Sequence, residues 1–238
     1  YPFGRWVAEN VSRRVMLVAL DYGFGRETLD AFKESFLPAG GQVIDEVYTP
    51  LGTTDYSSIM ARISGRRPEA VFAVLSGSDA VIFLRQFAQF GLNRTVRLAV
   101  SGETVDENVL ESVGTAALGA LSVDQWVYTL DHPANQTFVR EYRQRYQGLP
   151  NHFAVRGYDT AQVIVHALNA VRGDLSNLEG FIRAIETMRF ESPRGTIEFD
   201  PSTHQVIENI YVPEVVQLPE GVVNRLVTSL GRIRDRDS

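Results

Sequence analysis

Apolar positions along the first half of the chain follow two alternating rhythms. Short β-branched runs, VMLVAL (15–20), QVIDEVYTP (42–50), AVFAVLSG (70–77) and VRLAVSG (96–102), are separated by longer segments whose apolar residues recur every three or four positions. Strand-length runs alternating with helical ones are the signature of βαβ units, hence of a parallel sheet with helices on its faces. The spacing predicts a helix over 27–37, where Leu29, Phe32, Phe36 and Leu37 share one stripe, stopped by Pro38 and Gly40-Gly41. It predicts further helices over 55–65, with Asp55 as N-cap, and over 79–90, ended by Gly91.

After Gly119 the rhythm changes. ALSVDQWVYTL (120–130) reads as a strand, but 132–150 and 158–173 read as consecutive helices, with a third over 177–188. Helices in sequence after a βα series indicate that the chain has left one sheet to decorate another. The tail returns to strands at 196–200, 209–217 and 222–230, the last two joined by the hairpin signal Leu218-Pro219-Glu220-Gly221. The fold class is therefore α/β, with no internal repeat, low-complexity tract or flexible linker.

Composition narrows the partners. The 238 residues are 44% hydrophobic, enough for one large or two small cores, and carry a net charge of −6 with arginines scattered along the chain. Nucleic acid is not an expected partner. Cysteine is absent, which removes disulfides, thiolate nucleophiles and cysteine metal sites together. The longest apolar run is strand-sized, so the chain is not expected to be membrane-embedded. Its start, YPFGRWVAENVSRR, lacks the pattern of a signal peptide, which leaves a cytoplasmic protein or one whose beginning has been removed.

The junction DYGFGRE (21–27) carries the first chemical question. Gly23 and Gly25 after a strand, with Asp45 twenty positions beyond, fit part of a dinucleotide fingerprint. The third glycine is missing, and Thr28 in its place is expected to compromise close helix–strand packing. No triphosphate loop is present. Catalytic motifs are weaker still: Ser76-Gly77-Ser78 lacks a nucleophile elbow, and the four histidines lie far apart in no metal-binding spacing, with His132 and His204 reading as turn or capping residues beside Asp131 and Asp200. Glu103 reads either as a general base or, with Asp106 and Glu107, as a carboxylate at a helix N-terminus. Neither a catalytic residue, a metal nor a cofactor is expected. Tyr22, Ser76 to Asp79 and Glu103 all follow predicted parallel strands directly, so they are expected to meet on one concave surface outside the strand ends. An aromatic ring, hydroxyls and a carboxylate suit a small organic molecule held by hydrogen bonds and stacking.

Several segments in order, DYGFGRETLDAFKESFLPAGGQVIDEVYTPLGTTDYSSIMARI, LRQFAQFGL, TLDHPANQTFVREYRQRYQGLPNHFAVRGYDTAQ and FESPRGTIEFDPSTHQVIENIY, closely resemble the substrate-binding proteins of ABC transporters. The branch is the type I periplasmic binding fold of the leucine/isoleucine/valine-binding family. The resemblance implies two α/β lobes, each a parallel sheet flanked by helices, joined by three crossovers and closing on a ligand in the cleft between them. It places 13–121 plus 208–238 in the second lobe, 122–207 in the first, and 1–12 at a crossover or helix end. It also implies that the first lobe is incomplete here, because family members begin with a signal peptide and a long βα series whose loops supply hydroxyls and N–H groups to the ligand. A half-built lobe is expected to expose apolar faces and to self-associate.

By the same resemblance Tyr22 matches the aromatic of a Y-G-x-G turn whose glycines let the ring face the cleft. Ser76 and Gly77 match a ligand-contacting loop, Glu103 matches an acid that accepts a ligand ammonium, and Phe153 matches an aromatic lining the cleft, which Trp126 joins at the crossover. The implied function is a periplasmic receptor for an amino acid, amide or aromatic carboxylate, delivering its solute unchanged to an ABC permease in the inner membrane. The alternatives are a nucleotide-dependent Rossmann-like enzyme and a ligand-sensing regulatory domain of the same fold.

Overall fold

Six of the seven residues of β1 (Arg14–Leu20) are buried, and so are all five of β3 (Ala70–Val74). Strands apolar on both faces belong in the middle of a parallel sheet with helices on either side. A computed structural model, which describes residues 1–219 and 221–234, places them so. β1 lies between β2 (Gln42–Thr49) and β3; β4 (Arg97–Ser101) and β5 (Leu121–Val123) continue beyond β3, all in parallel. The order is β2-β1-β3-β4-β5.

The chain divides into two compact units. Unit 1 is Tyr1–Asp124 with Val212–Val227, and unit 2 is Gln125–Tyr211 with the residues from Thr228 onward.

In unit 1, one face of the sheet is covered by α3 (Ser57–Arg66), α4 (Gly77–Gln89) and α5 (Glu107–Val113), whose Met60, Ile63, Phe83, Leu84 and Phe87 pack against Met16 and Val18. The other face carries α1 (Pro2–Asn10) and α2 (Gly23–Phe36). There the Phe32 ring stacks on Phe72 with centroids 4.3 Å apart, and Phe3 meets Phe72 edge-on at 5.8 Å. Each buried phenylalanine stabilises the sheet by about 1.5–3 kcal/mol. β8 (Val206–Leu218) enters this sheet antiparallel to β5 at Leu121↔Glu214, and β9 (Gly221–Ile233) pairs with β8. Glu220 of the predicted hairpin turn and the last four positions of the predicted second lobe, 235–238, lie outside the described residues.

Unit 2 holds α6 (Pro133–Tyr146), α7 (His152–Ala170) and α8 (Leu178–Glu186), with the antiparallel strands β6 (Arg189–Ser192) and β7 (Gly195–Phe199) beside the first part of β8. Local chemistry sets the helix starts. Pro133 opens α6, the Asn151 side-chain Oδ1 accepts the Ala154 N–H at 3.0 Å, and the Asn177 side chain does the same for Gly180 at 3.0 Å.

Several elements differ from the sequence expectation: α7 begins at His152, six residues before the predicted 158, α1 and α5 have no counterpart among the helices that the spacing predicts, and three further differences have a local cause. α2 begins at Gly23, four residues before the predicted start at 27, because Gly23 and Gly25 read as a turn and the one large apolar side chain of the first turn, Phe24, is exposed and lies off the buried stripe. The predicted strand 120–130 shortens to Leu121–Val123: the Asn135 amide takes the carbonyls of Tyr128 (3.2 Å) and Leu130 (2.9 Å) that a ladder would need. β6 was not expected, having a single apolar residue, Phe190, in register with Ile197.

Candidate functional site

In a sheet of order β2-β1-β3-β4-β5 the connections leave β1 and β3 in opposite directions. Open α/β sheets bind ligands outside the strand carboxyl ends at such a switch point. Ala19 of β1 is level with Val74 of β3, and Ala73 of β3 with Val100 of β4, so the three strands end together. Tyr22 follows β1, Ser76 and Gly77 follow β3, and Glu103 follows β4, which puts these loops within about 10 Å, two strand spacings. Unit 1 therefore brings four of the sequence-derived site residues to one end of one sheet.

Tyr22 is the N-cap of α2, in extended backbone, half-buried against the edge of the core. Its N–H reaches back to the Leu20 carbonyl at 2.9 Å, while the Asp21 N–H continues the ladder to Thr49 at 2.8 Å, so the turn is pinned on both sides. The two glycines divide the work. Beside Gly23 there is open space, nothing nearer than the Glu27 carboxylate at 3.9 Å from where a Cβ would stand. At Gly25 a Cβ would overlap the Leu20 carbonyl oxygen. Close helix–strand packing, expected to suffer for want of a glycine at position 28, is thus secured by Gly25.

Asp45, the acid of the dinucleotide reading, serves elsewhere. It pairs with Met16 in register, four residues short of the strand end, about 13 Å from the tip at ~3.3 Å per residue. Its carboxylate is held by Arg62 at 2.6 Å and Arg66 at 3.1 Å. The Arg62 hydrogen bond holds its carboxyl below the ordinary carboxylate range.

Ser76 is the extended N-cap of α4 and Gly77 its exposed first residue, at φ +54°, where a side chain is disfavoured. Neither Tyr22 nor Ser76 caps its helix with its own side chain, so both helix starts keep backbone donors at the sheet's end. Glu103 lies half-buried in a short 3-10 turn (Gly102–Val105), and the helix cap is Asp106, whose carboxylate accepts from Asn108 and Val109. Gly102 leaves room for the Asp124 carboxylate directly beside its Cα, which brings a second acid to the Glu103 loop.

Three buried polar residues hold loops at this end of the sheet, and one of them, Asp79, expected on the concave surface with Ser76, is instead turned inward. The Asp79 carboxylate, buried in the first turn of α4, accepts the N–H groups of Gly52 (3.1 Å) and Thr53 (2.9 Å) and the Tyr56 hydroxyl (2.9 Å). Burial pushes that phenol's pKa up, so it stays protonated as a donor. The Thr104 hydroxyl, fully buried, accepts the Leu75 N–H at 3.0 Å and donates to the Leu75 carbonyl at 2.8 Å. The Asn224 amide, from β9, donates to the Val105 carbonyl at 2.8 Å. Buried polar residues bonded to loop backbone are the signal by which such positions are found, and it is a structural one.

Phe153 and Trp126 belong to unit 2. Phe153, in the first turn of α7, is 54% exposed. Trp126 is 2% exposed, gives its indole N–H to Asn135 at 2.7 Å and meets Phe138 edge-on at 6.5 Å. Both contacts lie within unit 2.

Fold and strand-end loops together define an α/β protein built on a switch-point sheet. Residues 1–219 match the family described as periplasmic binding protein, and the chain belongs to that family, with the type I fold. A Leu/Ile/Val-binding protein homolog from Brucella melitensis is 32% identical over 225 residues, 92% of this chain and 57% of that protein. An ABC transporter substrate-binding protein from Sphaerobacter thermophilus is 34% identical with a TM-score of 0.90, covering 96% of this chain and 63% of that one. A solute-binding protein of an ABC transporter from R. palustris, in complex with 4-hydroxybenzoate, is 28% identical with a TM-score of 0.91, covering 97% and 64%. The chain thus spans less than two thirds of the length of these relatives. No helix among the described residues is long and apolar enough to cross a membrane.

Proposed function

We propose that the chain is solute-binding material of a periplasmic ABC importer, in which unit 1 supplies one wall of the site and the solute leaves unaltered, handed to a permease in the inner membrane. The observation that carries this reading is the gathering of Tyr22, Ser76, Gly77 and Glu103 at the switch-point end of one sheet. On this reading unit 1 corresponds to the second lobe and unit 2 to part of the first, with Phe153 as its aromatic contribution. Tyr22 stacks on the solute, the donors at the starts of α2 and α4 face its carboxylate, and Glu103 accepts from a donor on it.

Glu103 and the neighbouring Asp124 favour a solute that carries both a carboxylate and a hydrogen-bond donor. An amino acid meets that demand with its ammonium, and a hydroxylated aromatic acid meets it with its phenol. The relatives named above, a Leu/Ile/Val-binding homolog and a 4-hydroxybenzoate complex, fall on those two sides. Thermal-shift titration with leucine, benzoate and 4-hydroxybenzoate tests the reading. Stabilisation by leucine or 4-hydroxybenzoate, lost in Tyr22→Ala and weakened at least tenfold in Glu103→Gln, is expected. Binding of NAD(H) with none of these effects overturns it.

A further inference from the structure

Five arginines from three separate stretches of sequence are gathered by the fold at the amino end of unit 1's sheet, opposite the candidate site. Arg13 and Arg14 open β1, Arg67 is the C-cap of α3 three residues before β3, and Arg94 and Arg97 lead into and open β4. The ladder makes these strand starts neighbours: the Glu69 N–H donates to the Arg14 carbonyl at 3.1 Å, and the Arg97 N–H to the Glu69 carbonyl at 3.0 Å. All five arginines are exposed, and among the described residues none of them has a carboxylate within ion-pair distance, whereas nearby Arg62 and Arg66 are engaged by Asp45. The strand starts span two strand spacings, about 10 Å, close to the ~8 Å screening length of physiological salt, so the five charges act together.

The carboxylates at this end are already engaged. Glu69 accepts the Ser12 hydroxyl at 2.9 Å, and Glu214, on β8, pairs with Arg225 at 3.2 Å. Asp21, Asp55, Glu103 and Asp106 stand at the other end of the same strands, so the sheet is polarised within a chain of net charge −6. Apolar side chains share the basic end, because the helices that return between parallel strands finish there. Leu37 closes α2, Phe90 closes α4 and Leu118 leads into β5, and they are 49%, 49% and 39% exposed.

We propose that this end of unit 1 is a docking face for an anionic phospholipid surface. Arginine meets phosphate oxygens with a planar fork of donors, and each one near such a surface adds to the attraction. Leu37, Phe90 and Leu118 stand singly before β2, β4 and β5, about 20 Å across the sheet, rather than along one groove that would seat a peptide. Single apolar side chains set among arginines suit the boundary between headgroups and acyl chains. The candidate site lies at the far end of the seven residues of β1, about 20 Å away, and stays open to solution. The inference is therefore independent of which solute unit 1 binds.

The test is co-sedimentation of the full chain with vesicles of equal parts phosphatidylglycerol and phosphatidylcholine, against vesicles of phosphatidylcholine alone. Retention on the anionic vesicles at least tenfold above the neutral ones is expected, and its loss in molar salt. Arg67→Glu combined with Arg97→Glu lowers it at least tenfold, and Leu37→Ser or Phe90→Ser at least threefold, with circular dichroism checking the fold of each variant. Arg140→Glu with Arg145→Glu, the same change of charge at exposed positions of α6, leaves retention unchanged, and none of these variants alters the solute titration. Retention that neutral vesicles match, that the α6 pair lowers equally, or that both serine variants leave intact overturns the proposal. So does capture of the chain by soluble polyglutamate without retention on vesicles, which makes an acidic polypeptide the partner.

Discussion

The hydroxyl of Thr104 closes a two-way bond with the backbone of Leu75, accepting its N–H at 3.0 Å and donating to its carbonyl at 2.8 Å. Leu75 is the residue before Ser76, and Thr104 the residue after Glu103, so one buried side chain couples the two loops that carry the candidate recognition groups. Thr104→Val keeps the shape and strands both backbone groups. It is expected to cost about 1–3 kcal/mol and to accelerate amide exchange at Leu75 at least tenfold, with Thr104→Ser retaining most of the stability.

The Y-G-x-G turn makes a paired prediction. Gly25→Ala forces a methyl onto the Leu20 carbonyl, a backbone atom that cannot step aside, and is expected to cost about 1–3 kcal/mol. Gly23→Ala meets open space and is expected to be neutral or stabilising by up to about 1 kcal/mol. Melting temperatures of the two variants, side by side, check the assignment.

Asp79 is tested through its partner. Asp79→Ala leaves the Tyr56 hydroxyl and two loop N–H groups without their acceptor, an expected loss of about 3 kcal/mol. A double-mutant cycle of Asp79→Asn with Tyr56→Phe is expected to give a coupling of about 1–2 kcal/mol. Additive effects in that cycle mean that the phenol does not depend on this carboxylate.

The Asp45 ion pairs give a pH prediction. Its pKa is lowered in the folded protein, chiefly by the Arg62 hydrogen bond, so the stability it confers is complete above the ordinary carboxylate value near ~4 and is lost as pH falls through that value towards the lowered one. With both arginines half in solvent the contribution is about 1 kcal/mol. The melting temperatures of wild type and Asp45→Asn should differ by a constant amount above about pH 6 and converge as pH falls below about 4. A gap that persists at the acid end rules out the ion pair as its source.

Strand identity was legible where periodicity is strong. The runs at 15–20 and 70–77 are apolar throughout because both faces of their strands are covered, and that demand shows in composition alone. The loops that follow them placed Tyr22 and Ser76 at the strand ends, and the loop after the run at 96–102 placed Glu103 there. Legibility failed where a side chain replaces a ladder, as Asn135 does in shortening β5, and where an edge strand needs only one apolar residue, as β6 does with Phe190. Thr104 and Asn224 were silent, and Asp79 was legible only as a residue of the loop after β3, for a related reason. Their partners are backbone groups 26 to 119 residues distant, and no local spacing encodes such a match.

The clasp between Thr104 and Leu75 separates what the strand ends recognise from what keeps them in place. Under the proposed function, Ser76 and Glu103 are relieved of holding the backbone, because the buried Thr104 does so. The outward side chains can then be exchanged, and with them the solute of the proposed site, while the platform beneath stays as it is.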